Sequence, residues 1–155
     1  MRLIKPVEIT PAKLISSNVP ETDYPAWSVS ATYAIGDRVL LDHHIYEALA
    51  IVAAGVKPGA EVVDKDHPAK WQDRGMDNRW RMFDDKVESL TANPGTIEVR
   101  IRPGAVINSM ALFNLQGKSV TITMIDPVAG EGYRKTLSMV DAGVTNWYDW
   151  FFEPI

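Results

Sequence analysis

Val120, Ile122 and Met124 alternate with Thr121 and Thr123, and Ile97, Val99 and Ile101 alternate with Glu98 and Arg100. A period of two places successive side chains on opposite faces, so both runs predict half-buried antiparallel strands. Five such segments are expected: Thr96 to Ile101, Ala105 to Leu115, Ser119 to Ile125, Tyr133 to Val140 and Trp147 to Phe152. Turn chemistry separates them, at Asn93-Pro94-Gly95, Pro103-Gly104, Gln116-Gly117-Lys118, Asp126-Pro127 with Gly130-Glu131-Gly132, and Asp141-Ala142-Gly143. Short strands about ten residues apart predict an antiparallel β-sandwich of the jelly-roll type over residues 76–155.

The preceding stretch has a different texture. In residues 26–75 the aromatic residues Trp27, Tyr33, Tyr46 and Trp71 sit among the turn signals Gly36-Asp37, Pro58-Gly59 and Pro68. Gly36-Asp37 turns the chain into Arg38 to Leu41, and Asp42-His43-His44 turns it again into Ile45 to Ala48, which predicts a hairpin. Gly55 to Lys70 is expected to be loop. So short a module buries little apolar surface, and Trp27, Tyr33 and Trp71 are its natural core. Before it, Pro6, Pro11, Pro20 and Pro25 exclude a helix over residues 1–25 and predict an extended arm with a short strand near Leu3 to Ile9. Leu3, Ile4 and Val7 give the arm an apolar side suited to docking on a neighbouring domain or subunit. After the module, Asp77 to Asp85 is a charged connector whose Trp80, Met82 and Phe83 are placed to face an adjoining sheet. The expected class is therefore all-β: arm, aromatic-cored module, sandwich.

Composition removes several kinds of partner. Among 155 residues, 16 Lys plus Arg against 20 Asp plus Glu give a net charge of −4, with no basic run to follow a phosphate backbone, so no nucleic-acid partner is expected. The longest apolar run, Ala48 to Gly55, is far short of the roughly 20 residues that span a bilayer, and no membrane insertion is expected. The first residues, Met1 to Pro6, lack the apolar stretch of a secretory signal, which points to synthesis in a cytoplasm. With 0 Cys there is no disulfide, thiolate ligand or thiol nucleophile.

Candidate chemistry is sparse. His43 and His44 adjoin Asp42, and His67 adjoins Asp64 and Asp66, but neither group has the convergent spacing of a metal site, and both read as solvated turns. The carboxylate pairs Asp84-Asp85 and Asp64 with Asp66 read as surface loops rather than an acid–base pair across a sugar. No nucleophile elbow, phosphate loop or zinc-protease motif is present, so the expectation is a protein without catalytic residues, metal or cofactor. Aromatic residues are the richest signal. Trp147, Tyr148, Trp150, Phe151 and Phe152 cannot all face one side of a strand, so some of them must meet a partner, another domain or a ligand. An aromatic edge at this point also predicts that further strands follow or that a partner covers it.

Two resemblances bear on function. Trp27-Ser28, Tyr33-Ala34-Ile35-Gly36-Asp37-Arg38-Val39, Ile45-Tyr46-Glu47-Ala48 and Trp71 resemble the small chitin-binding modules of bacterial chitinases, carbohydrate-binding families five and twelve. The resemblance implies glycan contact through Trp27, Tyr33, Tyr46 or Trp71, by stacking of rings on sugar faces. The chain departs from those modules after its Tyr46-Glu47-Ala48 strand, where Leu49-Ala50-Ile51 stands in place of exposed tryptophans. Over its whole length the chain also resembles a family of tailed-bacteriophage virion proteins. That likeness rests on Ser16-Ser17-Asn18-Val19-Pro20-Glu21, the module, Asn78-Arg79-Trp80-Arg81-Met82-Phe83-Asp84, and Trp147-Tyr148 followed by Trp150-Phe151-Phe152-Glu153-Pro154. It implies a structural part of a tail or baseplate, assembled in the bacterial host cytoplasm, with other virion proteins and copies of itself as partners and a host surface glycan as a candidate contact. The assembly surfaces would be Leu3, Ile4 and Val7 of the arm and Trp147, Tyr148, Trp150, Phe151 and Phe152. Two alternatives stay open: a glycan-binding module for a cell-surface polysaccharide, and an accessory domain of a glycosidase.

Overall fold

In the computed structural model, residues 6–61, 63–86 and 88–140 are described. They form seven strands and one short 3-10 turn and contain no α-helix, so the all-β class read from the sequence is what the chain adopts. The strands are β1 Leu14–Ser17, β2 Arg38–Leu41, β3 His44–Ala48, β4 Trp71–Met76, β5 Val99–Ile101, β6 Ser119–Asp126 and β7 Gly130–Ser138, with the 3-10 turn at Arg81–Phe83. All sheet pairings are antiparallel and fall into three small sheets: β2-β3-β4, β1-β5 and β6-β7. The chain divides into two compact units, residues 1–111 and 112–155.

The central hairpin forms where the turn residues place it. β2 and β3 pair from Arg38 opposite Glu47 to Leu41 opposite His44. Their two-residue loop, Asp42-His43, has φ of 50° and 70°. Positive φ at both central residues is the type I′ geometry whose twist matches a two-strand ribbon, and Asp is among the residues that tolerate it. On the other side, Gly36 sits at φ 87°, donates its N–H to Ala48 O at 2.8 Å, and Asp37 Oδ2 accepts the Ala34 N–H at 2.7 Å. A side-chain carboxylate bridging its own turn in this way fixes the entry into β2. β4 then adds to β3, with Trp71 opposite Ala48.

The arm docks, but not with the segment expected. The strand lies at Leu14–Ser17, and residues 6–10 have no regular structure. Lys13 and Leu14 both donate to Thr10 O, closing a turn after Pro11 from which the chain emerges extended. β1 pairs with β5, and Asn18 extends the join by accepting the Glu98 N–H at 2.8 Å and donating to Thr96 O at 3.0 Å. This explains why the strand predicted over Thr96 to Ile101 is confined to β5: its partner is the arm, which offers only four residues.

Further along, Ala105 to Leu115 is not a strand. Asn108 and Ser109 break its alternation, Asn114 takes φ of 52°, and no described strand runs beside it to complete a ladder. β6 and β7 form as expected from Val120 to Met124, and β7 starts earlier than predicted, at Gly130. Asp126 Oδ1 accepts the N–H groups of Val128 and Ala129, both at 2.8 Å, which turns the chain tightly enough for Gly130 to pair with Asp126. Among the described residues after Asp77, β5 pairs with β1, and β6 with β7. Trp147 to Phe152, like Leu3 and Ile4, lie outside the described residues.

Candidate functional site

The four aromatic residues singled out in the module are brought together around one core. Val39, Ala48, Val52 and Trp71 are buried, and Trp27, Tyr33, Tyr46 and Val56 pack against them. Tyr33 meets Trp71 edge to face, with ring centroids 5.2 Å apart. The Tyr33 hydroxyl accepts the Ser28 N–H at 2.7 Å, and the backbones of Tyr33 and Val52 exchange two hydrogen bonds at 2.9 Å. Thus Tyr33 ties the segment before β2 to the segment after β3 by both ring and backbone.

Trp71 is a correction to the sugar-stacking expectation. It is 5% exposed, its indole N–H donates to Val56 O at 3.2 Å, and its backbone N–H and that of Lys70 donate to Glu61 Oε2 at 3.1 and 3.0 Å. A ring enclosed in this way has no face to offer a sugar; it closes the module by pinning the long loop to β4. Trp27, Tyr33 and Tyr46 are half-buried and keep some ring surface toward solvent. Tyr46 carries the Gly59 turn, since a Cβ built on Gly59 would lie 3.4 Å from the Tyr46 hydroxyl oxygen. Burial, then the Asp73 and Asp42 carboxylates, hold its phenol above the ordinary range, so it stays a neutral hydroxyl.

Charged residues line the sheet beside this core. Glu47 of β3 receives Arg38 of β2 at 2.8 Å and Arg74 of β4 at 3.0 Å, and these guanidinium hydrogen bonds keep its carboxyl below the ordinary range. Arg38 in turn donates to the Tyr24 hydroxyl at 2.9 Å, with its guanidinium 5.6 Å from that ring's centroid. Next to β4, an open cleft of about 500 Å³ is lined by His44, Asp73, Arg74, Met76, Asp84 and Lys86. Its charges are mixed and it has no aromatic wall. His44 Nδ1 lies 2.9 Å from Asp73, and Asp84 is occupied by the Lys86 N–H and the Ser89 hydroxyl.

A second polar centre was hidden in the sequence. Asp77 is fully buried beside Trp80, which is 4% exposed, and the His43 ring lies over Trp80 with centroids 4.4 Å apart. Glu21 of the arm joins His43 Nδ1 and, at 3.3 Å, Arg79, while Arg79 Nε donates to Val19 O at 2.7 Å. Asp23 accepts the Asn78 N–H at 2.9 Å and pairs with Arg81 at 3.1 Å. Asp77 Oδ1 accepts the Trp80 N–H at 3.3 Å, whereas Oδ2 has no partner among the described residues. Burial, then the Glu21 carboxylate, pushes its carboxyl up to about 6, with the Trp80 and Arg79 N–H groups pulling the other way. Asp77-Asn78-Arg79-Trp80 read as a connector because partners such as Glu21, Asp23 and His43 come from the distant arm and the β2-β3 turn. The centre clamps the arm to the module; it holds no nucleophile with an adjacent base.

Val7 is half-buried in a segment without regular structure, and Leu3, Ile4 and Trp147 to Phe152 are outside the described residues. Among the described residues, no group of three or more His, Asp or Glu side chains could hold a metal ion, and no helix is long and apolar enough to cross a membrane. Comparisons with protein-family models, with curated proteins and with solved structures found no match to this chain.

A further apolar surface lies among the described residues of the second unit. None of the described residues in 112–140 is buried. In the β6-β7 hairpin, Val120 faces Leu137, Ile122 faces the stem of Lys135, and Met124 faces Tyr133. These side chains share one face of the ribbon, while Thr121 and Thr136 join hydroxyls at 2.9 Å on the other. Met124 and Ile125 are each 51% exposed, and Phe113 is 71% exposed.

Proposed function

We propose that the chain is a non-enzymatic structural component of a bacteriophage virion, in the tail or baseplate, working by protein–protein assembly. One observation carries the assembly half of this reading: the described part of the second unit is a two-stranded ribbon with an apolar face and no buried residue. An isolated hairpin is marginal in water, and an uncovered apolar face of this kind marks an interaction surface. The phage half rests on the collinear sequence resemblance. The ion pairs of Glu21 with Arg79 and Asp23 with Arg81 support it further, since they tie the segment before the module to the segment after it.

Mass spectrometry of purified particles tests the reading. The chain is expected among the tail proteins at a fixed copy number, and its absence from particles would sink the virion role. A second reading, glycan binding by the module, is favoured by the partial exposure of Trp27, Tyr33 and Tyr46 in one small core. Titration on a glycan array, with Trp27→Ala as the comparison, separates the two, because assembly needs no sugar.

A further inference from the structure

The two edges of the β6-β7 ribbon are built differently. β7 carries Glu131, Arg134 and Lys135, and Gly132 is an extra residue opposite the step from Met124 to Ile125. Charges and bulges of this kind keep an edge from pairing. β6, Ser-Val-Thr-Ile-Thr-Met-Ile-Asp, has no proline, no charge before Asp126 and no bulge of its own, and its outer edge meets no strand among the described residues. Its outward backbone groups can be assigned. Lys118 O accepts the Met139 N–H, so with the alternation of an antiparallel ladder the even-numbered residues bond inward to β7. Ser119, Thr121, Thr123 and Ile125 therefore direct their N–H and C=O groups to the free edge.

We propose that this edge pairs with the same edge of a second copy, antiparallel, about a two-fold axis at Ile122. The proposal deepens the assembly reading, on which it rests, by naming the first partner. In this register Thr121 meets Thr123 of the second copy as a hydrogen-bonded pair, and Val120 meets its Met124. The apolar face then runs continuously across the two β6 strands, flanked on each β7 by Leu137 and Tyr133 with Lys135 between them. At both ends Lys118 comes opposite Asp126 of the second copy, each of them exposed in the single chain, so the charges close the interface with opposite signs. Shifting the register by two residues about any other centre loses that match. A two-fold pairing of identical strands also closes after two copies and leaves the guarded β7 edges outside, which stops further growth of the sheet.

A cysteine scan of the full chain, which has 0 Cys, reads the register directly. Ile122 would face its own copy in a non-hydrogen-bonded pair with Cα atoms about 4.5 Å apart, inside the range a disulfide spans. Val120 would lie ~14 Å from its own copy along the strand, and so would Met124. Under mild oxidation Ile122→Cys is expected to dimerise at least about tenfold faster than Val120→Cys or Met124→Cys. Light scattering supplies the second arm: the unmodified chain is expected to be dimeric, and Thr121→Pro monomeric with its β6-β7 ladder intact, because the backbone group removed is an outward N–H and the only bond lost within the hairpin is the exposed one between the Thr121 and Thr136 hydroxyls. Equal cross-linking at the three positions, a monomeric unmodified chain, or a Thr121→Pro dimer would each overturn the proposal. Particle mass spectrometry reports on the virion reading separately: a dimer with the Ile122 register that is absent from particles leaves the pairing standing and removes the virion role.

Discussion

The module around Trp71 and the β6-β7 ribbon use the same antiparallel ladder, yet they stand at opposite ends of self-sufficiency. In the module, each of three strands contributes to one core: Val39 from β2, Ala48 from β3 and Trp71 from β4 are at most 5% exposed, with Val52 beneath the Tyr33 bridge. In the ribbon the ladder is longer, eight residues against nine, but no side chain is enclosed. Hydrogen bonds alone contribute modestly to stability, whereas burial of apolar area is the dominant favourable term. Ladder length is therefore a poor guide to which region holds itself together, and the described ribbon encloses none of its own side chains.

The largest test of the comparison is Trp71→Ala. Removing the ring and the Val56 hydrogen bond is expected to cost about 3–5 kcal/mol, enough to unfold the module in chemical denaturation, while the ribbon, a separate compact unit, is expected to keep its strand signal in the assembled state. Similar loss of both regions in one transition would break the distinction.

Asp77 gives the next effect, through pH. Its carboxyl keeps its proton up to about 6 in the fold and loses it near 3.8 when unfolded. Between those values the folded chain binds more protons, so this group's contribution lowers stability as pH rises from about 4 to about 6 and stays at that lower level above. Asp77→Asn removes the titration. It is expected to raise the melting temperature at pH 8 relative to the unmodified chain, by on the order of 2–3 kcal/mol of stability, with the advantage shrinking toward pH 4. An advantage that is independent of pH would contradict the assignment.

Smaller still is Gly36→Ala. A φ of 87° is reached by glycine without strain, and an L-residue there is expected to lose about 1 kcal/mol in thermal unfolding of the module. Smallest is Leu137→Thr on the ribbon. At 43% exposure Leu137 has little to lose in the isolated chain, and the change is expected to lie within about 0.5 kcal/mol. The same substitution should weaken assembly measurably by light scattering, since it interrupts the apolar face. A large loss in the single chain would show that the face is already covered.

Much of the module was legible because its signals are local. Gly36-Asp37, the Asp42-His43 loop, and the β-branched and aromatic run from Ile45 to Ala48 each dictate backbone shape within a few residues, and the hairpin forms there. The clustering of Trp27, Tyr33, Tyr46 and Trp71 was legible too, because few other large side chains are available to so short a core. Whether a given ring is enclosed was not. Trp71 and Trp27 look alike in sequence, and what separates them is Glu61 and Val56 folding back over one and not the other. The Asp77 centre was illegible for the same reason, its charge and aromatic partners being scattered over Glu21, Asp23, His43 and Trp80.

Taken alone, the order of residues determined the all-β class, the turn positions and the amphipathic alternation of β6, since these depend on φ preferences and a two-residue period. Tertiary structure decided which strands pair and which side chains are enclosed. The arm meets β5 through Leu14 to Ser17 while residues 6–9 form no strand, Ala105 to Leu115 stays outside any strand, and one edge of β6 meets no strand among the described residues. Strand pairing is a choice among distant segments with similar local preferences, and the free energy that selects one comes from area buried between them, which exists only once the chain has folded.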